Sequence, residues 1–387
     1  MKRVLFLGHS GLAGGAEYCL DTTLRFLDRN RLEPFALFGT EGPMVASARS
    51  LEIPAAVVPF SWWLLYERSG WDWRNRLRSP WRVAWLARWI REKGIQAVYT
   101  NTACLDEGMR AARACGIPHI THIHEVLQDA FMQPRRYPLE KIVALYYRNS
   151  EAVIYESRAA AETARPLLNN DVLFDQKTHV VSNSSRFSRN DVFSTRKPGE
   201  IKTILWMGRF SERKNPLLLV EALATLKSRT DWRVRFVGEG PLEGALRQAI
   251  RANGLESRSE IVPFQEDVKP VLAAGDLLVL TSREESFGLV LVEAGMFGLP
   301  VVATWAEGPT EIVRDGETGF LVDDAPSLAA RLNQLLEEEV FRKEMGWKNQ
   351  QRVAELYDPA RNTAKITEIL TQPPDLSDEP PTDSLRN

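Results

Sequence analysis

The 387-residue sequence predicts an α/β fold built from two doubly wound parallel sheets, on three observations. Short apolar runs alternate with helical patterns from end to end. The alternation breaks across 183–200 (NSSRFSRNDVFSTRKPGE), where Ser, Asn, Arg, Pro and Gly collect, and then restarts. The hydrophobic share of 44% over this length is enough to bury two cores.

In the first series, strands are expected near 3–7, 34–38, 55–58, 96–100, 118–121, 152–155 and 178–181, with helices over 16–28, 80–93, 103–115, 138–149 and 157–168. The second series starts at 202–207 and continues with strands near 232–237, 260–262, 276–280 and 300–303. Its helices fall at 216–228, 241–252, 267–273 and 289–298, followed by three helical stretches within 325–370. The domains are therefore read as 1–190 and 201–357. The Pro-, Asp- and Ser-rich end, 371–387, is read as disordered.

Composition narrows the function. Net charge is −2 with both signs mixed, so no global field points to nucleic acid. Cys19, Cys104 and Cys115 are odd in number and widely spaced, which fits a reducing cytoplasm better than a disulfide framework or a zinc site. The opening MKRVLFLGHSG is too short in its apolar run for a secretion signal and reads as a first buried strand. No run reaches the ~18–20 apolar residues of a membrane span. A cytoplasmic protein is expected.

Residues 279–300, VLTSREESFGLVLVEAGMFGLP, carry the most chemistry. An apolar strand enters a loop bearing Glu285, Gly288 opens a helix, and Glu293 follows eight positions after Glu285. The helix start, at Gly288–Leu289 after Ser286-Phe287, offers unpaired N–H groups and a positive dipole end to phosphate oxygens. A carboxylate one turn or so further in can accept hydrogen bonds from ribose hydroxyls. Residues 205–217, LWMGRFSERKNPL, end a second strand at Gly208, followed by Arg209 and Lys214. Two cations at the carboxyl end of a strand can neutralise a diphosphate; taken alone such a loop reads rather as an exposed charged turn, and Glu285 and Glu293 on the same sheet reverse that. Asn215-Pro216 reads as an N-cap and first-turn pair.

The Gly-rich run 8–17 (GHSGLAGGAE) follows the first strand, and Gly14-Gly15 lead into a helix. Its spacing is wrong for a dinucleotide fingerprint, and no acidic residue follows at Phe38-Gly39-Thr40, which disfavours an NAD enzyme. In 118–125 (PHITHIHE), His122 and His124 suit either packing and loop capping or a metal, but no cluster accompanies them beyond Glu125. No Asp-x-Asp pair ends a strand, so no metal site for a diphosphate is expected.

The Glu285–Ser-Phe-Gly–Glu293 pattern resembles the E-x7-E motif of the retaining glycosyltransferases of family 4, which have the GT-B fold. The resemblance covers the chain to about residue 370. It implies two Rossmann-like domains facing a cleft, with 358–370 crossing back to the first. It also implies a nucleotide-sugar donor as co-substrate, no cofactor, and a glycan or lipid-linked acceptor. By the same resemblance Arg209 and Lys214 hold the diphosphate, Glu293 the ribose, and Ser286, Phe287, Gly288 and Leu289 line the donor site. Gly14 and Gly15 approach the donor phosphates or the acceptor, His124 contacts the transferred sugar, and His122 is structural. Glu285 is assigned to the donor sugar, with a nucleophilic role left open. Asn183 stands where the family has Pro-Asn-Gly, here Ser-Asn-Ser. Gly308-Pro309-Thr310-Glu311-Ile312-Val313 is similar to a further family motif, with Glu311 read as a first-turn carboxylate. A nucleotide-sugar epimerase and a non-catalytic nucleotide-sugar-binding protein are the alternatives.

Seven of the eleven tryptophans lie in 60–93 (Trp62, Trp63, Trp71, Trp73, Trp81, Trp85, Trp89), interleaved with arginines. The four-residue repeat Trp81, Trp85, Trp89 reads as a helical stripe packed on the first sheet. The pair Trp62-Trp63 reads as part of an exposed loop over 60–79, in peripheral contact with the inner membrane face or a lipid-linked acceptor.

Overall fold

The computed structural model describes residues 1–66, 77–127, 132–134, 137–187, 191, 201–226 and 228–372. Most of the expected linker, part of the 60–79 loop and nearly all of the 371–387 tail lie outside the described residues.

The first sheet contains β1 (Lys2–Gly8), β2 (Leu32–Phe38) and β3 (Ala55–Val57). After a short β4 (Leu64–Tyr66) come β5 (Ala97–Thr100), β6 (His119–Ile123), β7 (Met132–Pro134), β8 (Ala152–Tyr155) and β9 (Thr178–Val180). Seven of these strands form one parallel sheet in the order β3-β2-β1-β5-β6-β8-β9, while β4 and β7 pair antiparallel beside it. The second sheet contains β10 (Lys202–Met207), β11 (Trp232–Val237), β12 (Ser259–Val262), β13 (Leu277–Leu280), β14 (Val301–Thr304) and β15 (Gly319–Val322). All are parallel, in the order β12-β11-β10-β13-β14-β15. Both sheets are doubly wound, and each reverses its strand order beside its first strand. Ligands of open α/β sheets bind outside the carboxyl ends of the strands at such a reversal.

Both faces of each sheet are covered, which is why strand centres such as 4–7, 204–207 and Leu277–Leu280 read as unbroken apolar runs. In the second sheet Ile204, Trp206, Val234 and Phe236 feed one core, while Leu205, Met207, Val237 and Leu278 feed the other. The first sheet divides in the same way, Val4, Phe6 and Tyr99 on one side and Leu5, Leu7 and Val98 on the other. Each such side chain, fully buried, contributes roughly 1.5–3 kcal/mol.

The helix Pro359–Thr371 joins the first domain. Asp358 caps it by accepting from Arg361 N at 2.8 Å, Ile366 and Leu370 enter the first core, and Lys2 Nζ donates to Leu370 O at 2.8 Å. No helix among the described residues is long and apolar enough to cross a membrane.

The tryptophan stripe departs from expectation. In the helix Ser79–Lys93, Leu86, Ala87 and Ile90 are the buried residues, whereas Trp81 is 78% and Trp85 45% exposed. Four residues of helix turn through about 400°, so a four-residue repeat drifts about 40° per step. By Trp89 that drift has turned the ring inward, edge-on to Phe35 at 5.9 Å. Trp63 is likewise not exposed: its Nε1 donates to Ala103 O and Tyr146 OH, at 2.9 and 2.8 Å, and 3% of it meets solvent. Trp62, by contrast, is exposed as expected, at 38%, with its ring edge-on to His9.

Candidate functional site

The loops after β10 and β13 are zipped together by backbone and hydroxyl bonds. Thr281 Oγ1 donates to the carbonyls of Lys214 and Asn215, at 3.0 and 2.8 Å, and Arg283 N donates to Arg213 O at 2.8 Å. Trp206 Nε1 fixes Thr281 from inside the core at 2.8 Å. This brings Lys214 Nζ into a hydrogen-bonded ion pair with Glu285 Oε2, which also accepts from Ser282 Oγ at 3.0 Å. Burial lowers the Lys214 pKa, against the pull of Glu285. Burial would raise Glu285, but Lys214 and Arg213 together hold it below its ordinary range. Arg209 stands at the start of the same loop and is exposed.

Asn215 precedes the helix Pro216–Thr225 as expected, but its backbone is left-handed (φ 47°) and its side chain makes no cap bond. The expected capping interaction is therefore absent. The glycine at 288 has a firmer basis, since φ of 97° at the start of Leu289–Met296 is strained for any other residue.

Glu293 lies on that helix, almost wholly buried. Its Oε1 accepts from Arg186 Nε at 2.7 Å. Burial raises its pKa, with Arg186 opposing. Arg186 is a residue that sequence reasoning missed. It sits in the aperiodic segment after β9, stacked on Tyr18 at 3.9 Å from the ring centre.

The side chains of Ser286 and Phe287 are held by protein partners. The Ser286 hydroxyl donates across to His124 O, and its carbonyl accepts from Ser157 Oγ, both at 2.8 Å. Phe287 is 3% exposed and packs edge-on to Tyr357. Both side chains are thus engaged within the protein, at a strand end closed over by the first domain and the core. Glu311 likewise reaches across, its Oε1 accepting from Ala159 N at 2.6 Å near the start of the helix Arg158–Leu168. Its helix is only Pro309–Ile312, so the first-turn carboxylate caps a different helix from its own.

On the first-domain side, His124 is nearly enclosed. Nδ1 lies 3.0 Å from Glu156 Oε2 and Nε2 lies 3.0 Å from Asn101 Oδ1, so both ring nitrogens already have partners. Asn183 also donates to Glu156, which places the altered Ser-Asn-Ser segment directly against this cluster. His122 is buried and hydrogen-bonded to Tyr99. Glu125 accepts from Thr102 Oγ1, Ala103 N and His124 N at 2.8, 3.0 and 2.8 Å, holding two strand ends together.

Gly14 and Gly15 differ in need. A Cβ on Gly14 would lie 2.4 Å from Glu17 Oε2, whereas one on Gly15 would meet nothing within 4 Å. Glu17 pairs with His9 Nε2 at 3.0 Å. Burial works against charge on His9, but Glu17 outweighs it and raises the pKa. His9 and Glu17 were also missed, although both flank the Gly-rich loop in sequence. Among the described residues no group of three or more His, Cys, Asp or Glu could hold a metal.

Two doubly wound domains meeting at the carboxyl ends of their sheets, with a Lys–Glu pair and a buried carboxylate at the second reversal, define the GT-B architecture. Family models agree: Glycosyltransferase Family 4 matches 13–184 and Glycosyl transferases group 1 matches 187–352. The chain belongs to this glycosyltransferase family.

A crystal structure of Anabaena Alr3699/HepE in complex with UDP-glucose is similar, with TM-score 0.78, 26% identity, and 96% of this chain and 99% of that one covered. The lipopolysaccharide core biosynthesis glycosyltransferase LpsE of Rhizobium meliloti is 28% identical over 59% of this chain and 66% of its own length. The N-acetyl-alpha-D-glucosaminyl L-malate synthase of Bacillus anthracis is 32% identical over 40% and 42%. The chain thus spans less than two thirds of the length of either of these curated relatives.

Proposed function

We propose that the chain transfers a hexosyl group from a UDP-activated donor to an acceptor hydroxyl with retention at the anomeric carbon, in the assembly of a polysaccharide or glycolipid. The observation that carries this is the Lys214–Glu285 pair at the reversal point of the second sheet, one helix start away from Glu293. The UDP-glucose complex of the similar Anabaena protein supports UDP as the donor's nucleotide.

In this reading the acceptor oxygen attacks C1 on the face the leaving group vacates. The C1–O bond to the β-phosphate breaks, its electron pair goes to the diphosphate, and the acceptor proton passes to a phosphate oxygen. Arg209 and Lys214 stabilise the charge developing on the diphosphate. Glu285 positions the donor sugar, and Glu293 accepts from the ribose hydroxyls, exchanging its bond to Arg186 for them. His124, held by Glu156 and Asn101, forms the wall toward the transferred sugar. Gly288–Leu289 present the helix start to the phosphates.

The acceptor, a glycan or a lipid-linked saccharide, enters from the first-domain side, past the 8–15 loop and Trp62. The reaction needs no metal, because Arg209 and Lys214 supply the positive charge. The protein works at the cytoplasmic face of a membrane.

The test is release of UDP from UDP-glucose by the purified chain, with and without chelator. Acceptor-independent slow hydrolysis, unchanged in chelator, is expected. Conversion of the sugar to its epimer without any acceptor, or activity restored only by Mn²⁺, would overturn the reading.

A further inference from the structure

The helix Ser79–Lys93 uses one face for the fold and leaves the other bare. Leu86, Ala87 and Ile90 enter the core with Leu5, Leu7 and Leu37, and Val83 and Trp89 pack at its margin. Arg82 is also committed inward, in a two-oxygen ion pair with the buried Glu107. What remains outside is Trp81, 78% exposed, Trp85, 45% exposed, and Leu77 just before the helix, 67% exposed. Packing does not require these rings, and large aromatics presented in a row to water mark a contact surface.

The charge around this face is net positive. Arg78, Arg88, Arg91 and Lys93 are exposed, and the helix's single carboxylate, Glu92, is paired with Arg88 at 2.7 Å. The chain as a whole carries −2, so this positive face is local. Two copies of such a face would repel one another. Indole rings beside arginines are suited instead to the headgroup layer of an anionic bilayer, where the ring sits at the interface and the cations meet lipid phosphates.

We infer that the Trp81–Trp85 face of the helix Ser79–Lys93, with Arg78, Arg88, Arg91 and Lys93 around it, docks the enzyme on an anionic membrane surface. In a parallel α/β layer the helix runs against the strands, so Ser79 and Trp81 lie at the end where β1 and β5 finish. That is the cleft side of the first domain. Docking there sets the acceptor side of the cleft beside the bilayer, which suits a lipid-borne acceptor; this last step alone rests on the proposed transferase function.

The experiment is flotation of the full chain with vesicles of phosphatidylcholine alone or mixed with phosphatidylglycerol. It compares wild type with Trp81→Ser/Trp85→Ser and Arg88→Glu/Arg91→Glu. UDP-glucose binding by the same samples reports separately on the fold and the donor site. Wild type floats with the anionic vesicles only, and each double variant loses about tenfold in partitioning while keeping its nucleotide affinity. The inference is overturned if wild type stays at the bottom, floats equally on neutral vesicles, or is matched by both variants. It is also overturned if the tryptophan variant instead turns a dimer into a monomer, since the face then covers a second copy.

Discussion

Arg186 donates through Nε to Glu293 Oε1 at 2.7 Å, while its guanidinium lies 3.9 Å from the centre of the Tyr18 ring. Tyr18 belongs to the first domain, Glu293 to the second, and Arg186 to the segment that crosses between them. The carboxylate proposed for the ribose is thus held by an internal cation where the two domains meet.

Arg186→Met leaves that buried carboxylate without its counter-charge, a change that costs roughly 3–5 kcal/mol in buried pairs. Glu293 already has a raised pKa from burial. A carboxyl raised in the folded state contributes stability below its unfolded pKa and loses it as pH rises through the folded value. The variant raises it further, so its deficit is largest near about pH 7.5 and shrinks toward about pH 5. Urea unfolding at the two pH values checks this, and an equal deficit at both contradicts it.

Lys214→Ala removes the charge facing Glu285 and the proposed leaving group. The rate of UDP release is expected to fall by about 10²–10³. Arg209→Ala removes the second cation from the same diphosphate but at an exposed, solvent-screened position, and is expected to lower kcat by a smaller factor. Steady-state kinetics separates the two, and a Lys214 variant with an unchanged kcat would remove Lys214 from the chemistry.

Gly308 is fixed by contact rather than by conformation. Its N–H donates to Glu285 O at 2.7 Å, and an added Cβ would stand 2.2 Å from both Phe287 Cα and Phe287 O. Backbone cannot yield as a flexible side chain can. Gly308→Ala is expected to cost about 1–3 kcal/mol and to weaken UDP-glucose binding as the Glu285 loop shifts. Thermal unfolding and titration of the same sample test both parts; unaltered binding in a fully folded variant would show that the loop is not coupled to the donor.

His119 sets an acid limit. It is buried between Thr100 Oγ1 at 2.8 Å and Ser150 Oγ at 2.9 Å, and burial lowers its pKa from 6.5 to about 3. A depressed folded pKa means stability is fully present above the unfolded value and is lost as pH falls toward 3. The slope is about 1.4 kcal/mol per pH unit for this one group. His119→Gln should flatten the acid limb of stability between about pH 6.5 and about pH 4. An unchanged slope assigns the acid loss to other groups.

The two doubly wound sheets are legible in the sequence because strand centres buried on both faces must be apolar, and 4–7, 204–207 and Leu277–Leu280 are. Glu285 and Lys214 are legible because each directly follows such a strand, where parallel sheets place their ligand loops. The strand β15 escapes reading, since Gly319–Val322 is only four residues at a sheet edge. The pairing of β4 with β7 joins three-residue segments far apart in sequence, which no local periodicity can register. Arg186 lies in an aperiodic run of polar residues, and its bond to Glu293 is set by tertiary approach. Ser286 and Phe287 are legible as motif positions, but the sequence does not show that their side chains turn toward the other domain and the core.

Everything proposed for the second domain depends on Glu293 and its helix binding a nucleotide sugar. Calorimetric titration of UDP-glucose, beside GDP- and ADP-sugars, into wild type and Glu293→Ala tests it most directly. Wild type is expected to bind UDP-glucose saturably, and the variant at least about tenfold more weakly. Equal affinity in the two proteins, or no binding of any nucleotide sugar by wild type, would contradict it.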